Sequence, residues 1–463
     1  MFPISNFCYK EFPMKKKVIS LLTAAVLLSA LLMQSCQSPS PTPTPDASSA
    51  RESTVEIPSD LPTDEPTDTP TDIPTDTPTD IPTDAPTKET DEVTTAHTHS
   101  FGEWEVVKPA AVGVAGLKKR TCSGCSETET REIPAITLKF SSKSVVGTNS
   151  FPTYIAFNSV AKADCLIPGL AEGMVPQGMD VWAEKGLLLI SGYFPDTKTH
   201  PCSVLLAVDL AGGGIVGEYD LKNASGGYYT GHAGGVAVAG KNLYISDGGK
   251  LHRIPLSAFD AAGVQGDLAI VESISVPVRA SFCNYSGGYL WVGDFYYGTS
   301  YPTDDFRHMT NREGKEYCAW SVGYKLDPTT ESGIADSARK AGNAYATPDV
   351  ILSIDQKIQG FAVVGDKIAL SQSYGRKNNS KIYLYDNVLT TEAHTTVELN
   401  GVKVPLWFLD GKVKSKSYTA PPMSEGLAAY DGKLLILFES GADKYRNDGG
   451  KNPTDRVWKL DPK

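Results

Sequence analysis

The chain has 463 residues, enough for two or three domains, and a formal charge of −11 at pH 7. Residues 37–96 hold 14 Asp and Glu against 2 Lys and Arg, so one segment carries the imbalance and the rest is near neutral. That distribution excludes the long basic stripe nucleic acid requires, and no nucleic-acid partner is expected.

In chain order, Met14 opens MKKKVISLLTAAVLLSALLMQSC, three lysines ahead of an apolar run from Val18 to Met33. A run of about 16 residues is short for a spanning helix and suits a secretory signal, with Met14 as the start. The stretch ending at Ser35-Cys36 resembles a bacterial lipoprotein signal, although Leu and a small residue are commoner at Met33 and Gln34. The resemblance implies a diacylglycerol on Cys36, which becomes the N-terminus once the preceding residues of the 1–36 signal segment are removed, and attachment to the outer face of the cell membrane. A retained membrane helix and a freely secreted protein are the alternatives.

Residues 37–96 repeat Pro-Thr-Asp plus one variable residue from about Leu61 to Thr87. Proline fixes φ and removes donors while the aspartates repel, so a disordered, extended linker is expected. At roughly 3 Å per residue it could span more than about 100 Å.

Residues 97–136 contain His97-Thr98-His99-Ser100-Phe101-Gly102-Glu103-Trp104, then Arg120-Thr121-Cys122-Ser123-Gly124-Cys125, then Arg131-Glu132-Ile133-Pro134-Ala135. About 40 residues cannot build an adequate core, so a staple is expected. His97, His99, Cys122 and Cys125 could hold a structural Zn²⁺; a disulfide or free thiols are the other readings. The segment resembles small modules of clostridial surface proteins, whose His and Cys look like metal ligands. A further Cys of that pattern is replaced here by Pro109-Ala110-Ala111.

From Lys139 to Lys463 a pattern recurs five times: a polar residue and small residues, an apolar strand, a Gly/Asn/Asp turn, a second strand, then a polar cluster. The copies begin at Gln177, His232, Asn284, Gln359 and Glu425. A strand-only repeat of roughly 40 to 60 residues reads as an all-β propeller. Five or six four-stranded blades are preferred to seven; residues 139–174 and 257–278 could supply a sixth blade or the closing strand. The segment TTVELNG is assigned to the fourth repeat, and no long helix is expected.

If first strands start and second strands end at one face, polar residues converge there on the central channel. The candidate binding set is Gln177, Tyr193, His232, Asp247, Asn284, Asp294, Tyr296, Gln359, Ser371, Tyr374, Arg376, Glu425 and Glu439, with Arg307, His308 and Arg446 reaching over from loops. Such a ring suits a small molecule, glycan or peptide, with the tyrosines as carbohydrate platforms. Glu425 and His232 are the candidate catalytic residues. The first repeat, Q-G-M then S-G-Y, resembles units of quinoprotein-like and glutaminyl-cyclotransferase-like propellers. S-E-G-L-A at Ser424 is similar to propeller lactonases and esterase-like phytases. That resemblance implies a Ca²⁺ or other divalent cation near Glu425, with Asn284 and Asp294 as co-ligands. A hydrolase or lactonase, a cyclotransferase using Glu425 as proton shuttle, and a protein scaffold are the alternatives to a binder. No G-x-S-x-G, H-E-x-x-H or P-loop is present. The four cysteines of the propeller allow three pairings, of which Cys165 with Cys202 and Cys283 with Cys318 are the most local; free thiols are the alternative.

Overall fold

The computed structural model describes residues 97–463. The signal segment, Cys36 and the linker lie outside the described residues. Among the described residues, no helix is long and apolar enough to cross a membrane.

Residues 97–136 form an antiparallel sheet of β1 (Glu105–Lys108), β2 (Gly116–Thr121) and β3 (Thr128–Ile133). Its only buried apolar side chain is Cys122. In place of a core, Trp104 carries Lys118, Arg120 and Arg131 within 5.0 Å of its ring.

Further along, β4 (Ala161–Leu166) precedes the first large sheet: β5 (Val175–Trp182), β6 (Leu187–Tyr193), β7 (Val204–Asp209) and β8 (Ile215–Lys222). The second begins with β9 (Gly235–Ala239), β10 (Asn242–Asp247) and β11 (Lys250–Pro255). Then β12 (Gln265–Ala269) returns to lie parallel to β8, and β13 (Glu272–Ser275) completes the second sheet. The third takes β14 (Phe282–Ser286) and β15 (Tyr289–Gly293); a small hairpin of β16 (Met309–Thr310) and β17 (Glu316–Tyr317) intervenes before β18 (Ala319–Lys325) and β19 (Val350–Ile354). The fourth takes β20 (Ile358–Val364), β21 (Lys367–Gln372) and β22 (Ser380–Asp386). A hairpin of β23 (Thr395–Leu399) and β24 (Val402–Phe408) goes back to β19 before β25 (Lys414–Ala420) completes it. Last come β26 (Ser424–Tyr430), β27 (Lys433–Phe438) and β28 (Arg456–Leu460), whose fourth strand is β4.

The first strands β5, β9, β14, β20 and β26 contact one another in a ring, with β26 meeting β5 again. Five apolar layers fill the gaps between neighbouring sheets, including the gap between the fifth sheet and the first. Strand alternation builds them: on β6, Leu188 and Ile190 face the fifth sheet while Leu189 faces the second. Both faces are covered, so the second strands read as near-continuous apolar runs. This is propeller architecture, in which the early strand β4 pairs with the C-terminal β28 and joins the two ends of the domain in one sheet.

The glycines that follow the polar strand starts Gln177 and Glu425 have a packing reason. A Cβ on Gly178 would lie 2.5 Å from Gly235 Cα, and one on Gly426 would lie 2.8 Å from Met179 N. The inner strands meet too closely for a side chain there.

Several expectations are corrected. TTVELNG is β23 and belongs to the third sheet, because β24 continues that sheet beyond β19. Residues 257–278 add β12 and β13 to existing sheets, and residues 161–166 supply the closing strand. All six described cysteines are free, so neither local pairing forms; Cys283, for example, is buried on an inner strand and directed at Tyr244 O.

Candidate functional site

Each inner strand is entered through a residue with left-handed backbone: Gly173 at φ 88, Ala233 at 52, Ala280 at 56, Lys357 at 61 and Met423 at 64. Four of these are not glycine, and such strain persists only where the surroundings hold it. The sharp entries throw the preceding loops outward and leave a cavity of about 660 Å³ at one end of the ring.

Eight of the thirteen expected residues line this mouth: Gln177, Tyr193, His232, Asp247, Gln359, Tyr374, Arg376 and Glu439. Its floor is a hydrogen-bonded carboxyl pair. Gln177 Nε2 donates to Glu439 Oε2 at 2.8 Å, and Gln359 Nε2 donates to Glu425 Oε1 at 2.8 Å. Glu425 and Glu439 hydrogen-bond to each other, and Tyr445 lies beside Glu439. The two glutamates are 3% and 6% exposed. Burial, followed by the neighbouring Glu439, pushes the Glu425 carboxyl well above its usual range. Burial raises Glu439 to about 7, against the lowering effect of Glu425, Gln177 and Tyr445 beside it. Two buried carboxyls in contact cannot both ionise cheaply, so Glu425 keeps its proton and donates it to Glu439.

The wall is aromatic and cationic. Tyr193 stacks on His232 with ring centroids 4.4 Å apart, and Lys444 Nζ donates to the Tyr193 hydroxyl at 2.7 Å. Asp247 holds the His232 loop by accepting from Tyr229 Oη at 2.9 Å and from His232 N at 3.3 Å. On the other side Tyr374 packs on Tyr297 and Phe295, at 4.4 and 6.1 Å. Arg376 pairs with Asp448 and lies 5.3 Å from the Tyr445 ring.

Five expected residues sit elsewhere. Asn284 lies one layer deeper, at the level of Asp180, donating to Leu427 O at 3.1 Å and Asp180 Oδ1 at 3.4 Å. The strand start of that repeat is Ser281, which does line the mouth. Asp294, fully buried, accepts from Arg279 N and Trp320 N and pairs with Arg307, so it anchors backbone. Ser371 is buried against Ser424, with oxygens 2.6 Å apart. Glu425 lies beneath Glu439 and reaches the mouth through it. Tyr296 turns towards Cys318 and His308. Among the loop residues, Arg307 is buried on Asp294 and Arg446 is held by Asp443, so neither reaches over the mouth. His232 lies in the loop three residues before β9, with no side-chain partner for proton transfer beyond the Tyr193 stack.

Sequence reasoning missed Arg279, Phe295, Tyr301, Lys444, Tyr445 and Asp180. The first five come from loops and from a short helical turn, Asp443–Arg446, whose course no repeat predicts. Asp180, raised to about 7 by burial, was legible as an acid at an apolar inner-strand position.

Glu425 and Asp294 belong to no converging group of three or more His, Cys, Asp or Glu among the described residues. With Asn284 they are engaged by separate partners, so the expected cation set of the propeller is not assembled. In the small module the ligand atoms of His97, His99, Cys122 and Cys125 all lie within 4.8 Å of one another. His97 Nε2 is 3.4 Å from Cys122 Sγ, and His99 Nδ1 is 3.4 Å from Cys125 Sγ. Contact with His97 and then the Gly124 N–H lower Cys122 to about 5, a thiol prepared to act as thiolate.

The fold and this mouth define a propeller with one concave, polar and aromatic end. No family model matches the chain, and no curated protein matches it. Among solved structures, glutaminyl cyclase of Myxococcus xanthus is 12% identical at a TM-score of 0.33, covering 65% of this chain and 95% of that one. A GH43_1 enzyme of Xanthomonas citri is 10% identical at 0.34, covering 67% and 93%, and a glucose dehydrogenase is 12% identical at 0.32, covering 65% and 99%. At these scores the likenesses define neither a family nor a site for this chain.

Proposed function

We propose that this is a lipid-anchored protein of the outer membrane face whose five sheets are five propeller blades, and whose channel mouth binds a small molecule, glycan or peptide. The observation that carries the reading is the mouth itself. A cavity of about 660 Å³ is large enough for a sugar unit or a short peptide, with side-chain amides and carboxyls at its floor and tyrosines on its wall. Tyr193, fixed by Lys444 and His232, offers a stacking face. The residue 97–136 module carries a structural Zn²⁺ on His97, His99, Cys122 and Cys125, in keeping with two thiols and two imidazoles at ligand spacing.

A second reading, an enzyme, is favoured by one observation. A carboxylic acid kept protonated near neutral pH and hydrogen-bonded to its carboxylate partner is a ready general acid, and Glu439 is the member that faces the cavity.

The test is a calorimetric panel of saccharides and short peptides against the full chain. A binder is expected whose affinity falls roughly 3- to 10-fold in Tyr193→Ala, the range for one aromatic contact. Affinity unchanged in both Tyr193→Ala and Tyr374→Ala would place the binding elsewhere.

A further inference from the structure

Away from the mouth's floor, the 25-residue excursion between β15 and β18 carries a cluster that the binding site does not use. We infer that His308, Glu316 and Cys318 form a second metal site, taking a zinc-class divalent cation with one coordination position left open. Their ligand atoms lie within 4.8 Å of one another.

The strand geometry of the β16–β17 hairpin produces this convergence. Met309 pairs with Tyr317 and Thr310 with Glu316, so continuing the register sets His308 opposite Cys318. Directly opposed residues share a face, and Glu316, two positions from Cys318, shares it too. Tyr317, on the other face, is buried and donates to Leu409 O at 3.3 Å, which holds the hairpin down. Buried Asn311 sets the turn by accepting from the N–H of Glu313 at 2.9 Å and of Lys315 at 3.0 Å. The loop leading in is pinned by Arg307, buried between Asp294 and Pro277 O.

A supporting shell is present. Thr303 Oγ1 donates to Cys318 O at 2.5 Å, so toward His308 Nε2, 3.1 Å away, it offers a lone pair. That fixes the imidazole as the Nε2–H tautomer and leaves Nδ1 an unprotonated base, the state a metal requires. Tyr296 packs edge-on to His308 at 5.8 Å and its hydroxyl lies near Cys318, a further oxygen beside the three ligands.

The donor set chooses the ion. A thiolate with an imidazole and a carboxylate suits zinc or a related transition metal and not Ca²⁺ or Mg²⁺. Four-coordinate bonds of about 2.0 to 2.3 Å place neighbouring ligands roughly 3.5 Å apart, so the cluster closes by about 1 Å on binding. Cys318 enters as thiolate, and its proton leaves to water, one per ion bound. Three protein ligands leave the fourth position to water or an anion, in contrast to the closed set of the small module.

The full chain, reduced, loaded with Zn²⁺ and desalted, is assayed for bound zinc by mass spectrometry. In C122S/C125S, which removes the module's thiols, one zinc per chain is expected, and Co²⁺ should give a thiolate-to-cobalt absorption band. Both should disappear when C318S is added. H308A, at a half-buried position, should lower zinc affinity at least 10-fold, and it keeps the test decisive if C318S fails to fold. A C122S/C125S chain that retains no zinc and shows no cobalt band, or retention unchanged by C318S and by H308A, overturns the site.

Discussion

The small module and the propeller solve the same problem by opposite means. The propeller buries five apolar layers between its sheets and closes them into a ring, so its order is set by packing that no ligand has to complete. Residues 97–136 bury one apolar side chain, Cys122, and lay charged side chains over Trp104. The difference assigns the polar groups their roles. Histidines and thiols of the module stand where a core would stand, while buried carboxyls of the mouth are a cost that the propeller's packing can bear.

The largest expected effect separates the two regions. Chelation of the full chain should expose the amides of β1–β3 to hydrogen exchange while those of β6 and β27 stay protected, since structural zinc contributes on the order of 10 kcal/mol to such modules. A module that stays protected after chelation would remove the metal from the account. Next in size, Gly178→Ala forces a Cβ to within 2.5 Å of Gly235 Cα and should lower propeller stability by about 1 to 3 kcal/mol. The melt of the variant checks this, and the module's hydrogen exchange should not change.

The smallest effect concerns the floor. Glu439 has a folded pKa of about 7, above its ordinary 4.5, so the folded state binds the extra proton between those values. Its contribution therefore becomes less favourable as pH rises through that window and is constant above it. Carboxyls held below their usual range, such as Asp410 and Asp455, remain ionised throughout and add no slope there. Glu439→Gln should flatten the fall in melting temperature across the window, by about 1 to 3 kcal/mol in stability. An unaltered slope would mean that the Glu439 carboxyl is not raised in the folded protein.

Much of the ring was legible. The pairing of a polar residue with glycine at Gln177, Gln359 and Glu425 marks strand starts because the inner strands approach too closely for a Cβ, and a turn follows each strand at a fixed distance. The third repeat was misread because Phe282 replaces that glycine, which moved the expected start from Ser281 to Asn284. His232 was misplaced because Gly234 and Gly235 provide two small positions in succession. The fourth strand of the first repeat, β8, was legible, whereas those of the next three were not, since β13, β19 and β25 each follow an insertion and their partners are chosen by packing. At the mouth, side chains on repeat positions were found, whereas Arg279 arrives on the loop that enters at left-handed Ala280, and Lys444 and Tyr445 arrive on the helical turn Asp443–Arg446, which no repeat position marks.

The mouth's chemistry rests on one shared proton, and infrared difference spectroscopy of the carboxyl groups reads it directly. Above the Glu439 value of about 7, where Glu439 and Asp180 are ionised, the wild-type protein should show a protonated-carboxyl C=O band that Glu425→Gln removes and Asp180→Asn does not. A spectrum in which Glu425→Gln removes no protonated carboxyl would contradict the pair, and with it the proposal that the floor of the mouth can donate a proton.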